Sequence, residues 1–419
     1  MLVQIAFGMA LVGNTLLWVS FLNRSHGLGI WRWVAHCCSL LSLIGASGGP
    51  FVIAAAFAMT WPNSLPPVPN WFTSYVTAVS ESAVWQLPAI YTGLCVVLGA
   101  ILITMWLASR CSLRTPAQLL NESTTRLSLG PREDEPSWSR GVWKFATMLS
   151  ANEIFRLDMT EKTLALPNLP ARLEGLSIAH LSDLHMSGRI AAGYFRDVVE
   201  RTNEAKPDLV AITGDIVDAA SCLAWLSETL GKLVAPYGVY YVLGNHDRKV
   251  DVQALRAVLD DAGLVNLGGR CRRLTVDGES LLLAGNELPW IRPAPDMALW
   301  RDDNASLLRV LLSHSPDQIS WARRHKFDLM LAGHTHGGQI QFPLLGPVLA
   351  PSVYGTKYAC GTFYEAPTLM HVSRGVSGLT PVRYHCPPEV ALLRLTGDPS
   401  RRSGRGSTSE TRKEYATWT

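Results

Sequence analysis

Residues 176–185 read LSIAHLSDLH. A short apolar run of strand character ends in Ser182, Asp183, Leu184 and His185. The arrangement recurs along the chain: LVAITGD at 209–215, VYYVLGNHD at 239–247, RVLLSH at 309–314 and FDLMLAGHTH at 327–336. Between these runs, residues 191–205, 223–233 and 252–262 carry helical spacing. Alternating strands and helices predict a layered α/β fold with a largely buried sheet. Further strands are expected at 281–284 and at 390–395 (VALLRL).

The residues at the end of each strand carry the chemistry. In α/β sheets, sites form at the carboxyl ends of strands, so polar residues far apart in sequence converge there. The five ends supply Asp183, His185, Asp215, Asn245, His246, Asp247, His314, His334 and His336. Carboxylate, imidazole and amide oxygen favour Mn, Fe or Zn over a soft thiolate site, and no cysteine joins the set. On an extended segment, residues two apart face one side, so Asp183/His185 and His334/His336 are each expected to address one site. Each motif alone is weak, since DxH or GD occurs in turns and caps. GNHD is stronger, because a buried polar run is costly without partners. Five motifs in order, each at a strand end, read as ligands for two divalent ions, which suits phosphoester hydrolysis.

The set DLH, GD, GNHD, SH and GHTH resembles the calcineurin-like metallophosphoesterase family over residues of about 153–397. SDLH, GHTHGGQI at 333–340 and SRGVSGLTPVRYHCPPEVALLRL at 373–395 resemble its membrane-associated bacterial branch of YkuE- and YaeI-like phosphoesterases. The resemblance implies an α-β-β-α sandwich behind an N-terminal helical membrane region. It implies that Asp183, His185, Asp215 and His336 hold one metal ion, and Asp215, Asn245, His314 and His334 a second. A hydroxide bridging the metals would be the nucleophile. His246 would stand over the phosphoester and protonate the leaving oxygen, with Asp247 orienting it. Arg248 and Arg374 are candidates for substrate phosphate. Asp218 is a helix cap or a support for a ligand, His180 belongs to the core or supports a ligand, and His371 and His385 have no assigned partner.

The chain has 419 residues, which predicts more than one domain. Its charged fraction is 17%, below the roughly 25% usual for soluble proteins. The deficit lies at the start: residues 1–110 carry only Arg24, Arg32, Glu81 and Arg110. Spans of membrane length are expected near 2–22, 34–59 and 88–109. GASGGP at 45–50 should kink or interrupt the second. Trp31, Trp33, Trp61, Trp71 and Trp85 suit interfacial anchors. A cleaved signal peptide fits poorly, because the start lacks a basic segment and two more apolar spans follow. Arginines in the first loop and after the third span place the N-terminus outside and the rest in the cytoplasm, in the cell (inner) membrane.

The expected division is a membrane region at 1–110, a juxtamembrane linker at 111–150, the metallophosphoesterase domain at 151–398 and a disordered tail at 399–419. The stretch 141–150 (GVWKFATMLS) either rests on the membrane surface or packs on the next domain. The eight cysteines lack CxxC spacing, and nothing in their placement reads as a structural zinc site or a disulfide framework.

Three function classes compete. The first is a membrane-anchored phosphoesterase acting on a phosphomonoester, phosphodiester or pyrophosphate, with a lipid-linked substrate favoured by the anchor. The UDP-2,3-diacylglucosamine-type pyrophosphohydrolase of lipid A synthesis is an alternative within it. The second is a nuclease, which the net charge of +3 and the membrane anchor argue against, so no nucleic-acid partner is expected. The third is a non-enzymatic sensor, disfavoured because neither His246 nor Asp247 is needed to hold metal.

Overall fold

A computed structural model describes residues 2–60, 74, 86–112, 115–131, 138–300 and 307–397. The tail at 399–419 and Trp61, Trp71 and Trp85 fall outside these residues. The chain divides into two compact units. One is Met1–Arg114 with Pro351–Lys357; the other is Thr115–Ala350 with Tyr358–Thr419.

The first unit is helical: α1 (Leu2–Gly27), α2 (Arg32–Thr60) and α3 (Gln86–Ser112). All three are long and apolar enough to cross a membrane. Instead of breaking α2, GASGGP runs through as helix with Pro50 inside. Proline removes the hydrogen bond to the carbonyl four residues back. That carbonyl, on Ala46, accepts from the Asn14 side chain of α1 at 3.5 Å. The small residues serve packing: a Cβ on Gly45 would lie 1.9 Å from the Trp18 ring. Trp18 Nε1 donates to Tyr91 Oη at 2.9 Å, and Tyr91 donates in turn to Asn14 Oδ1, so the polar groups between these helices are matched.

The second unit is built on two sheets. Its strands are β1 (Leu119–Ser128), β2 (Arg156–Leu166), β3 (Ser177–Leu181), β4 (Leu209–Thr213), β5 (Val239–Val242), β6 (Val265–Asn266), β7 (Cys271–Val276), β8 (Glu279–Asn286), β9 (Leu308–Ser313), β10 (Leu329–Ala332), β11 (Gln341–Phe342), β12 (Gly346–Pro347), β13 (Gly361–Glu365), β14 (Thr368–Val372) and β15 (Glu389–Gly397). One sheet has the order β1-β2-β15-β3-β4-β5-β6, the other β13-β14-β10-β9-β8-β7. β11 and β12 form a separate hairpin. In the centre of each sheet the strands are parallel, with Ile178 opposite Leu209, Val210 opposite Val239, and Leu329 opposite Val310.

Parallel strands covered on both faces read as continuous apolar runs. LVAIT of β4 and LMLA of β10 are buried throughout. Leu209, Leu283, Leu312 and Leu331 belong to the core between the sheets. The outer face of the first sheet is covered by α5 (Ala192–Glu204) and α6 (Val252–Asp261). That of the second is covered by α7 (Ile319–Arg324). The order of layers is therefore helix, sheet, sheet, helix, as the fold reading expected.

Two local expectations change. The stretch read as a linker carries α4 (Trp143–Met148) and β1, which pairs antiparallel with β2 from Ser128↔Arg156 to Leu119↔Leu164. β1 is an edge strand with most of its side chains exposed. Residues 223–233 form no α-helix; short 3-10 turns at Ala220–Trp225 and Leu230–Lys232 stand there instead.

Candidate metal centre

The carboxyl ends of β3, β4, β5, β9 and β10 bring the predicted residues together. Asp183, His185, Asp215 and His336 offer ligand atoms within 4.8 Å of one another, and so do Asp215, His314 and His334. Asp215 is common to both groups. In the first, His185 Nε2 lies 3.2 Å from His336 Nε2 and 3.5 Å from Asp215 Oδ2, and His336 Nε2 lies 3.4 Å from Asp183 Oδ1. In the second, His314 Nε2 lies 3.2 Å from Asp215 Oδ2, 3.1 Å from Asn245 Oδ1 and 3.2 Å from His334 Nδ1. Asn245 thus joins the second group through its amide oxygen.

The backbone explains how strand ends aim so many side chains inward. Asp183, His185, Asp215, His334 and His336 all have positive φ, between 50° and 72°. Among the described residues only eleven non-glycine positions do, and these five cluster here. Such conformations cost on the order of 1–3 kcal/mol each and gather at functional sites. The sequence predicts extended pairs; the two pairs instead sit in left-handed turns, which aim them. Glycine is required where backbones approach the ligands. A Cβ on Gly333 would lie 2.4 Å from Asp183 Oδ2, and one on Gly244 would lie 2.2 Å from Asp215 Oδ1.

Hydrogen bonds fix which nitrogen of each ring faces inward. His314 Nδ1 donates to the Thr213 carbonyl at 2.7 Å, leaving Nε2 for the cluster. His185 Nδ1 bonds Asp218 Oδ2 at 2.9 Å, leaving its Nε2 likewise. His336 Nδ1 sits 3.4 Å from the Ser377 carbonyl. Asp183 is held by the His334 amide, 3.1 and 3.0 Å from its two oxygens, and Asp215 Oδ1 accepts from the His246 amide at 2.7 Å.

Whether these residues fit metal is tested by the atoms that remain unmatched. Asp215 Oδ2, which both groups share, is buried with no hydrogen-bond partner. His314 Nε2, though 3.2 Å from Asp215 Oδ2, is not in bonding geometry with it. A buried carboxylate oxygen without a donor is costly unless a cation faces it. Burial, and then the neighbouring His314 and His185 rings, push His334 and His336 well below the usual imidazole range. They are neutral imidazoles, the form that ligates metal. Burial opposes charge on Asp215 too, but His314 and His246 outweigh it and hold the carboxyl well below its usual range. Neutral imidazoles at His334 and His336 beside an ionised Asp215, with its Oδ2 left over, suit a dinuclear divalent site.

The family resemblance is matched by known proteins. The profile of the family described as calcineurin-like phosphoesterase matches residues 176–338. The uncharacterized metallophosphoesterase YkuE of Bacillus subtilis is 33% identical over 247 residues, covering 57% of this chain and 85% of YkuE. The chain belongs to the calcineurin-like metallophosphoesterases. It is a metal-dependent phosphoester hydrolase. Phosphodiesterase YaeI of Escherichia coli is 32% identical over 226 residues, covering 52% of the chain and 81% of YaeI. UDP-2,3-diacylglucosamine pyrophosphatase LpxG of Chlamydia trachomatis is 26% identical over 319 residues, covering 62% of the chain and 94% of LpxG.

Around the metallophosphoesterase cluster, some neighbours act differently from the sequence reading. His246 is part-exposed, and its Nδ1 bonds Asp218 Oδ1 at 2.7 Å. Lys249 Nζ shares that oxygen at 2.5 Å. Asp218 therefore orients both His185 and His246. Burial opposes its ionisation, but bonds from these two rings outweigh that and hold it well below the carboxylate range. Burial also opposes charge on His246, yet the Asp215 charge and the Asp218 bond raise it above the usual imidazole value.

Asp247, expected to orient His246, does something else. Its Oδ1 accepts from the Ile216 and Val217 amides at 2.8 and 2.9 Å, and its Oδ2 from the Gly244 amide at 2.8 Å. It clamps the loops after β4 and β5 together. Burial pushes its carboxyl up to about 7.

Arg374, a phosphate candidate, has its guanidinium against two buried carboxylates: Asp158 at 3.1 Å and Glu389 at 3.4 Å. Arg248 is exposed. His180 and His371 are fully buried and meet Nδ1 to Nδ1 at 2.9 Å between the sheets. Two residues escaped the sequence reading. Arg383 is fully buried and donates to the backbone carbonyls of Arg374 at 2.7 Å and His336 at 3.2 Å, holding the loop beneath the cluster. Trp290 lays its ring 4.6 Å from His334 and 5.5 Å from His314. Neither stands at the end of one of the five strands, so the signal that found the ligands did not reach them.

Proposed function

We propose that the chain is a membrane-anchored phosphoesterase with two divalent ions, hydrolysing a lipid-linked phosphoester or pyrophosphate. The observation that carries this reading is the pair of ligand groups sharing Asp215, whose Oδ2 is buried and unmatched. Asp183, His185, Asp215 and His336 would hold one ion; Asp215, Asn245, His314 and His334 the other. Mn, Fe or Zn suits this donor set. When bound, such a pair polarises the phosphoryl oxygens and acidifies water for in-line attack. Asp215, common to both groups, would be the ligand the two ions share, and the His334 amide holds the Asp183 carboxylate in place.

His246 holds the proton. With Nδ1 on Asp218, its Nε2 is the nitrogen free to face substrate. The reaction consumes one water. A phosphorus–oxygen bond forms to that water and the bond to the leaving group breaks. His246 Nε2–H donates to the leaving oxygen, contributing roughly 10²–10⁴-fold. Asp218 is a positioning residue for that proton. Asp247 and Arg374 are assigned to structure rather than to orienting His246 and binding phosphate; Arg248 remains a substrate candidate at the surface.

The apolar helices support anchoring, and the arginine pattern supports a cytoplasmic domain in the cell membrane. A pyrophosphate in a nucleotide-linked lipid is the second reading, favoured by the similarity to LpxG across 94% of that relative. Purified full-length protein should cleave bis(p-nitrophenyl) phosphate with Mn²⁺, stop on chelation and resume on adding Mn²⁺ back. Cleavage indifferent to chelator would contradict the reading.

A further inference from the structure

Directly after the GHTHGG loop the chain forms the β11–β12 hairpin, and its surface is unusual. Phe342 and Leu345 are exposed, and Leu344 at the tip is 100% exposed. Leu344 also has φ +67°. A tight turn with positive φ ordinarily takes glycine or asparagine, and a bulky residue there is an outlier. Water-facing stability would select neither the conformation nor the side chain.

A second apolar surface lies along the same rim. On and beside α4, Val142, Phe145 and Met148 are each more than 70% exposed. Hydrogen bonds to backbone carbonyls link the segments that carry the two surfaces. Gln341 N donates to the Tyr384 carbonyl at 2.9 Å, and Gln339 Nε2 to the Thr380 carbonyl at 2.9 Å. Asn152 Nδ2 then links the carbonyls of Pro381 and Ala146, each at 2.9 Å. The rim borders the first ligand group: Gln341 Nε2 donates to the Gly337 carbonyl at 2.9 Å, one residue past His336.

Large exposed apolar patches on a folded domain mark a binding surface. Its occupant is indicated by the rest of the chain. The same chain carries three helices long and apolar enough to cross a membrane, and a chain so anchored would hold this domain beside a bilayer. Arg140 and Lys144, exposed beside the apolar side chains, have no ion-pair partner among the described residues. Exposed apolar side chains flanked by exposed cations fit the headgroup layer of an anionic membrane.

We propose that this rim docks into the bilayer surface, so that the metal site opens at the headgroup layer and takes phosphoester amphiphiles by lateral diffusion. The docking stands on the surface alone; the amphiphile claim rests on the phosphoesterase reading above. Docking explains the exposed Leu344: its strained turn is held where the apolar tip leaves water. It also assigns the 141–150 stretch, open at the sequence level, to the membrane surface.

The test uses full-length protein in nanodiscs of phosphatidylethanolamine and phosphatidylglycerol. A photoreactive benzophenone side chain is placed at position 344, at 145 and, as control, at Val234, which is exposed at the amino end of β5. Lipid adducts at 344 and 145 should exceed those at 234 by about tenfold. Equal yields would overturn the docking. A second arm measures inhibition of bis(p-nitrophenyl) phosphate cleavage by hexadecyl phosphate and by methyl phosphate. Wild type should prefer the long-chain inhibitor about tenfold, and Leu344→Ser with Phe342→Ser should erase that preference while leaving soluble cleavage within about twofold. No preference in wild type would overturn the amphiphile claim. Absence of any cleavage would sink the enzyme reading while the adducts still decide the docking.

Discussion

Two buried polar clusters lie within the second unit, and they are built on opposite principles. One is the ligand cluster at the strand ends. The other links Asp158, Arg374, Glu389 and Lys162. In the second, each charge is answered: Asp158 takes Arg126 at 2.7 and 3.0 Å and Arg374 at 3.1 Å, Arg374 reaches Glu389 at 3.4 Å, and Lys162 reaches Glu122 at 3.4 Å. The nearby His371 leaves only a neutral ring nitrogen unmatched. In the first, Asp215 Oδ2 is left over, four imidazoles crowd two carboxylates, and five backbones are strained to achieve it. Burying charge does not make a site. Leaving a buried carboxylate oxygen unmatched among imidazoles at strained positions does.

The sharpest break between the clusters should come from His246. His246→Ala is expected to keep both metals and lose about 10²–10⁴-fold in kcat. Metal analysis and steady-state kinetics on one preparation check both halves. Asp218→Ala comes next, with a loss of about 10–100-fold. It should also lower the pH at which His246 loses its proton, because the bond that raises it is gone. An unshifted pH profile would return the orienting role to another residue. Asp247→Ala should behave as a stability variant instead. It orphans three buried amides, at about 1–3 kcal/mol each. A fall in Tm with the pH profile retained is the expected result.

Variants of the paired cluster should leave chemistry alone. Arg374→Ala strands two buried carboxylates, at about 3–5 kcal/mol of stability. The KM for a soluble phosphodiester should hold in the protein that stays folded; a large rise would restore Arg374 as a phosphate contact. The smallest effect concerns acid. Burial opposes charge on Glu389, but Arg374 and Lys162 outweigh it and hold the carboxyl well below its usual range. A lowered folded-state pKa gives stability that is present above the unfolded value of about 4.3 and lost as pH falls below it. Tm should therefore drop between neutral pH and pH 3, and drop less in Glu389→Gln.

The same contrast explains how much is legible in the sequence. An apolar run ending in Asp, Asn or His is a local signal, and it finds the parallel strands and the seven residues that converge at their ends. It does not tell Asp218 from Asp247, because adjacency favours the residue beside His246. In the fold, the 3-10 turn at His246–Lys249 sends Asp247 inward to backbone amides. Asp218 reaches both rings from the neighbouring loop, 28 positions away from His246. β1 reads as linker because LLNESTTRLS is an exposed edge with little apolar alternation. Arg374 looks available because its two carboxylate partners, Asp158 and Glu389, are remote in sequence.

The central claim is that Asp215 joins two ion sites. Metal counting on the full-length protein tests it most directly, by mass spectrometry of the purified wild type and of Asp215→Asn, each after equilibration with Mn²⁺ and removal of free ion. Two ions per chain in wild type, with at least one lost in the variant, are predicted. One ion or none in wild type, or an unchanged count in Asp215→Asn, would contradict the account.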